Sequence, residues 1–211
     1  MSARRATPDR PPARRVGGER PSRERFATRR LTFSVDGDDC VGTLYRPRDV
    51  ADPETVVLGH GFAAEAAFGL DRLAEHLADV GYAAFAFDYR GFGASEGEPL
   101  VLPSRQVADW EAAVDRVRGI DALGDGIALW GVSLGGGHVV SVAAERYDVD
   151  AVIARTPFSD GRALLRSKSP RFLALATAAG LRDRLAGLVG RDREGKGYGR
   201  PGGVAALNEP G

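Results

Sequence analysis

Apolar and polar positions change period several times along the chain, and each change marks an element. Leu31, Phe33 and Val35 alternate with Thr32 and Ser34, the twofold period of a half-buried strand. Asp36-Gly37-Asp38-Asp39 supplies turn residues and residues 41–45 return, which predicts an antiparallel hairpin closed by Pro47. Thr55-Val56-Val57-Leu58-Gly59-His60 and Tyr82-Ala83-Ala84-Phe85-Ala86-Phe87-Asp88 are nearly continuous apolar runs, the pattern of strands covered on both faces. Between them Leu70, Leu73, Leu77 and Val80 recur at helical spacing, and Gly81 stands where that helix ends. Val107, Trp110, Val114 and Val117 mark a second amphipathic helix. Residues 126–130 form another short apolar strand, 136–145 a helix, and 149–154 a further strand. Strands alternating with helices predict an α/β fold with a mostly parallel sheet and crossover helices, preceded by the hairpin. After Phe158 the pattern changes. Residues 161–189 are rich in Leu, Ala and Arg with a helical period, residues 190–211 are rich in Gly and Pro, and no strand-like run follows Ala154.

The 211 residues carry a formal net charge of zero, unevenly spread. Residues 1–30 hold ten arginines against Asp9, Glu19 and Glu24, a net of +7, so the rest of the chain is near −7. Pro, Gly and Arg dominate that stretch and no aromatic residue precedes Phe26, so residues 1–27 read as a solvated arm rather than a nucleic-acid contact. No apolar segment follows Arg4-Arg5 or Arg14-Arg15, and no window approaches the length of a membrane span. Cys40 is the single cysteine, which excludes an internal disulfide and fits a reducing, cytoplasmic setting.

Gly131-Val132-Ser133-Leu134-Gly135 falls between the strand ending at Trp130 and the helix that follows. A serine on a sharp strand-to-helix turn has its hydroxyl lifted off the sheet, over a helix N-terminus with unpaired N–H groups. His60-Gly61-Phe62 ends the first long apolar strand, where glycine lets backbone N–H groups approach a carbonyl oxygen. The N–H groups of Phe62 and Leu134 would together form a two-donor oxyanion hole. Cofactor readings fail on detail. Gly91-Phe92-Gly93-Ala94-Ser95-Glu96 has glutamate where a dinucleotide fingerprint needs its third glycine, and the run from Gly190 to Lys196 is followed by Gly197 where a phosphate loop needs Ser or Thr. No His, Cys or Asp cluster has metal-ligand spacing, so neither cofactor nor metal is expected.

His60-Gly61-Phe62, the loop from Asp88-Tyr89-Arg90-Gly91-Phe92-Gly93 to Ala94-Ser95-Glu96-Gly97, and the Gly131–Gly136 turn come in an order and spacing that resemble the α/β-hydrolases of the serine aminopeptidase, dienelactone hydrolase and lipase-like branch. The resemblance covers residues 28–160. It implies that Ser133 is the nucleophile, with His60, Gly61, Gly131 and Gly135 supporting the motifs, and that Asp88 and Arg90 are structural. In that family the acid follows a later strand and the histidine follows the last, so the expectation is a core truncated after about the sixth strand, with 161–211 as a partial helical lid and tail. Asp160 is the one candidate acid within the chain. His138 lies five residues past Ser133 in the same helix, His60 sits in the oxyanion loop, and His76 sits in a remote helix, so none suits a catalytic base. The expected function is hydrolysis of a small ester, thioester or amide through an acyl-enzyme on Ser133, impaired in this chain. The alternative is a non-catalytic pseudoenzyme, or half of a two-chain hydrolase whose partner chain completes the sheet.

Overall fold

The computed structural model describes residues 24–166 and 168–188. Most of the arginine-rich arm and the whole Gly/Pro-rich tail from 190 lie outside the described residues. Strand β1 (Phe26–Val35) pairs antiparallel with β2 (Asp38–Pro47), and Asp36 and Gly37 between them both have positive φ (51° and 93°). That two-residue turn matches the twist of the flanking strands, and Asp-Gly is its favoured sequence. The strand begins inside the stretch expected as arm. Phe26 is buried against the Tyr45 ring, centroids 6.0 Å apart, and this apolar anchor starts the fold at residue 26.

Strand β3 (Thr55–Gly59) leads through a 3-10 turn (Ala66–Phe68) and α1 (Leu70–Asp79) to β4 (Ala83–Phe87). Helix α2 (Pro103–Arg118), with Pro103 in its first turn, leads to β5 (Ile127–Val132), α3 (Leu134–Glu145) and β6 (Ala151–Arg155). The six strands lie in the order β1-β2-β4-β3-β5-β6, antiparallel on the hairpin side and parallel from β4 to β6. This is the mostly parallel α/β sheet that the sequence predicts. From β3 the chain moves one way to β4, then crosses back to β5 on the other side. The C-terminal ends of β3 and β5 therefore meet at a topological switch point, where open sheets of this kind bind their ligands.

Alternation explains why the central strands carry apolar residues at every position. Val57, Phe85 and Leu129 face one side, under Trp110, Val114 and Val117 of α2 and Val139 and Val142 of α3. Val56, Leu58, Ala84 and Ala86 face the other, under Leu70, Ala74 and Ala78 of α1. Strand β6 differs: Val152 and Ile153 point to opposite faces and remain 38% and 51% exposed. The described chain divides at residue 159, and α4 (Gly161–Arg166) and α5 (Pro170–Leu188) belong to the second unit. Ser169 caps α5 by accepting the Phe172 N–H at 3.2 Å, with Pro170 next to it at the first helical position.

The loop after β4 is tied down by Arg90. Its backbone N–H and its Nε donate to the two carboxylate oxygens of Asp109 on α2 (3.1 and 2.5 Å), and Nη1 reaches Asp36 at the hairpin turn (2.7 Å). Asp109 is fully buried, so removing it leaves a guanidinium without its main counter-charge in the core. Asp109→Ala is expected to cost about 3 kcal/mol or more in urea unfolding, and the double change Arg90→Met/Asp109→Leu distinctly less.

Candidate active site

At the end of β5 the chain turns abruptly into α3, and Ser133 is the turning residue. Its φ of 54° and ψ of −117° lie in a region that non-glycine residues rarely occupy. Glycine makes the turn possible on each side. A Cβ on Gly131 would come within 2.2 Å of the Gly135 carbonyl oxygen, and one on Gly135 within 2.4 Å of the His60 carbonyl oxygen. Gly59 pairs with Gly131 in register, which brings the loop after β3 alongside the turn. A Cβ on Gly61 would stand 3.2 Å from the Ser133 Cβ and 3.8 Å from its Oγ, so the His60-Gly61-Phe62 backbone packs directly against the serine. Ala63, just beyond, is also at positive φ (47°).

Ser133 is half-buried, and its hydroxyl has no hydrogen-bond partner among the described residues. Leu134 opens α3, so its N–H belongs to the first turn, which lacks intrahelical partners. Phe62 follows Gly61 and is half-buried beside the same turn. The two backbone segments named from the sequence are thus brought together around Ser133.

The loops rest on a buried polar frame. Asp88 accepts the Ala66 N–H at 2.7 Å and the Ala94 N–H at 3.1 Å, linking the loop after β3 to the glycine-rich loop. The Ser95 hydroxyl donates to the Asp88 carbonyl (2.7 Å) and accepts the Val41 N–H (2.9 Å). The Tyr89 hydroxyl donates to the His60 carbonyl (3.2 Å) and accepts the Trp110 indole N–H (2.8 Å). Each bond satisfies a backbone or side-chain group that burial would otherwise leave unpaired.

None of the three histidines bonds to Ser133 in the described structure. His60 is buried. Its Nδ1 lies 3.0 Å from the Gly61 carbonyl, which can only accept, so that nitrogen carries the proton. Its Nε2 lies 3.9 Å from Asp88, and burial pushes its pKa down. His138 is buried on α3 with Nε2 2.9 Å from the Gln106 side-chain oxygen. His76 lies on α1, and its buried Nε2 has no hydrogen-bond partner among the described residues. Asp160, the candidate acid, accepts the Ala163 N–H at 3.0 Å and so caps α4 in the second unit. The sequence reading missed Gln106, Tyr89 and Trp110 as the frame behind the loops. It also missed the turn after β6, where Arg155 and Phe158 bond to the Ser133 backbone. Pro157 was the available signal for that turn.

Among the described residues, no cluster of three or more His, Cys, Asp or Glu side chains is placed to hold a metal, and no helix is long and apolar enough to cross a membrane.

A serine offered this way at a sheet's switch point is how α/β-hydrolases present their nucleophile, and the comparisons agree on that class. Residues 52–188 match the serine aminopeptidase family S33, and the chain belongs to that family. It is 34% identical over 165 residues to quorum-quenching protein AidA of Acinetobacter baumannii, covering 76% of this chain and 54% of that protein. It is 36% identical over 112 residues to an Escherichia coli 31.7 kDa protein from the traX-finO intergenic region, covering 52% of this chain and 39% of that one. The chain therefore spans about half the length of the curated relatives it matches, or less. Among solved structures, hypothetical protein PA2218 of Pseudomonas aeruginosa superimposes with a TM-score of 0.75 at 22% identity, over 90% of this chain and 64% of that one. The α/β-hydrolase GrgF from Penicillium gives 0.65 at 25% identity, over 79% and 56%.

Burial, reinforced by neighbouring His60, pushes the His138 pKa down to about 4 from its ordinary 6.5. On acidification the unfolded chain takes up this proton first. The contribution of His138 to stability is therefore constant above pH 6.5 and lost as pH falls from 6.5 towards 4, by on the order of 3 kcal/mol in all. Denaturant midpoints of the unchanged protein are expected to fall over that interval, and those of His138→Gln to fall less.

Proposed function

We propose that this chain carries the nucleophile half of a serine hydrolase acting on a small ester, thioester or amide. The observation that carries the reading is Ser133 at φ 54° between β5 and α3, with the backbone of Gly61 against its side chain. In this reading the Ser133 hydroxyl oxygen attacks the substrate carbonyl and its proton passes to a base. The N–H groups of Phe62 and Leu134 stabilise the oxyanion, and the leaving group departs with the proton. Water then resolves the acyl-enzyme by the same path. His138 holds Gln106, His60 donates its Nδ1–H to the Gly61 carbonyl, His76 lies on α1 and none of the three bonds to Ser133, so in this reading the base and its orienting acid lie outside the described residues. Lone, buried Cys40, its thiol pushed up to about 12 by burial, supports a reducing, cytoplasmic setting. Because AidA is described as quorum-quenching, quorum signals are the first natural compounds to test.

A second reading rests on β6. With one edge unpaired in the described sheet and apolar side chains exposed on both faces, it suits a partner segment that extends the sheet. On this reading the chain is a binding module or one half of a two-chain enzyme. Light scattering separates the two states: self-association relieved by a sheet-completing segment supports it, and a stable monomer indifferent to that segment opposes it.

The isolated chain is expected to resist labelling by a serine-directed fluorophosphonate. The same residues joined to the C-terminal half of an AidA-type relative are expected to label, with Ser133→Ala abolishing the signal. Ser133-dependent labelling of the isolated chain would place the base among His60, His76 and His138. Absence of labelling in both forms would remove Ser133 as nucleophile.

A further inference from the structure

Three parallel strands in a row, β3, β5 and β6, are each followed within four residues by a non-glycine residue at positive φ: Ala63, Ser133 and Thr156. Ser133 has a place in the proposed chemistry, and Ala63 stands next to Phe62, which has one too. Thr156, at φ 44°, has none, and β-branched residues are the rarest occupants of that region. Its position before Pro157 restricts it further.

The hydrogen bonds show what the turn does. The Ser133 N–H donates to the Arg155 carbonyl at 2.9 Å, and the Ser133 carbonyl accepts the Phe158 N–H at 2.8 Å. Both backbone groups of one residue are thus held by a four-residue turn, and Thr156 bends it back far enough for Phe158 to close the bracket. The start of α3 is cut away to admit it. A Cβ on Gly136 would stand 3.1 Å from the Pro157 Cα, and one on Gly137 only 2.1 Å from the Phe158 carbonyl oxygen.

We propose that the 155–158 turn is a clamp that holds Ser133 in its strained conformation, with Thr156 and Phe158 as positioning residues and Gly136 and Gly137 as the seat of the clamp. The functional meaning of the clamp rests on Ser133 being the nucleophile, but its existence does not, and the two are tested separately.

Gly137→Ala gives a test of sign. In a helix, alanine in place of glycine should lower the unfolding equilibrium constant about fivefold. If the turn is a clamp that cannot move away, the added methyl instead raises that constant, and the Ser133 13Cα and 13Cβ shifts, which report its φ, move with it. A Phe158→Pro variant, which removes the closing N–H along with the phenyl ring and fixes φ there, should move the same Ser133 shifts. Stabilisation by Gly137→Ala with unmoved Ser133 shifts would overturn the clamp. Native-state hydrogen exchange on the unchanged protein decides the matter if the variants do not fold. The Phe158 amide is expected to open together with the Ser133 amide, and exchange of Phe158 at the rate of a free loop would overturn the proposal. Either result leaves the fluorophosphonate test of Ser133 itself unaffected.

Discussion

Backbone must approach backbone around Ser133 more closely than any side chain permits, and much of the site follows from that requirement. Holding a serine at φ 54° costs about 1–3 kcal/mol, which the surroundings have to offset. They do so with hydrogen bonds to Arg155, Phe158 and Gly137 and with the register that sets Gly59 beside Gly131. Five glycines then clear the space for four neighbours. Gly131 faces its own turn, Gly135 the carbonyl of His60, Gly61 the serine side chain, and Gly136 and Gly137 the turn after β6. Even Gly59, one layer back, is fixed by packing, because a Cβ there would lie 2.2 Å from the indole of Trp110.

A loop pressed this tightly into a protein carries polar groups away from water, so the site needs a buried polar frame behind it. Asp88, Tyr89, Trp110 and Ser95 supply it, and Arg90 with Asp109 fixes the glycine-rich loop that presents them. The cost of the arrangement is a core with ionisable groups in it. Burial pushes the pKa of two of these, His60 and His138, down, which is why acid is expected to weaken the protein.

Sequence and structure agree where the information is local. The hairpin turn, the strands of the central sheet and the strand-to-helix turn at Ser133 could be read directly, because turn chemistry and period are properties of neighbouring residues. What could not be read depends on contacts across the fold. Gly136 and Gly137 look like weak helix residues until the turn after β6 is seen lying on them. Thr156 gives no local sign of its positive φ, and the pairing of His138 with Gln106 spans α2 and α3. The apolar run of β6 reads like that of β3 or β4, yet both its faces remain exposed. Burial depends on what lies next to a strand, and a strand's own sequence does not record its neighbour.

The same geometry fixes where proton transfer can enter. His60 precedes the Gly61 that packs against Ser133, but its Nδ1 is committed to the Gly61 carbonyl and its Nε2 lies 3.9 Å from Asp88. His138 is committed to Gln106 beneath the helix start. On the proposed reading a base comes in from a sheet edge, and the two edges are not equivalent. Strand β1 stands four places from β5 in the sheet, roughly 19 Å away, and carries exposed Arg29, Arg30, Thr32 and Ser34, the polar dressing of an edge meant for water. A strand added beyond β6 would lie two places from β5, about 10 Å away, and side chains from the loop at its end could span that distance. That edge also offers the exposed Val152 and Ile153 for packing. On that reading, distance and surface chemistry both favour β6 as the side from which a histidine and its acid would reach Ser133.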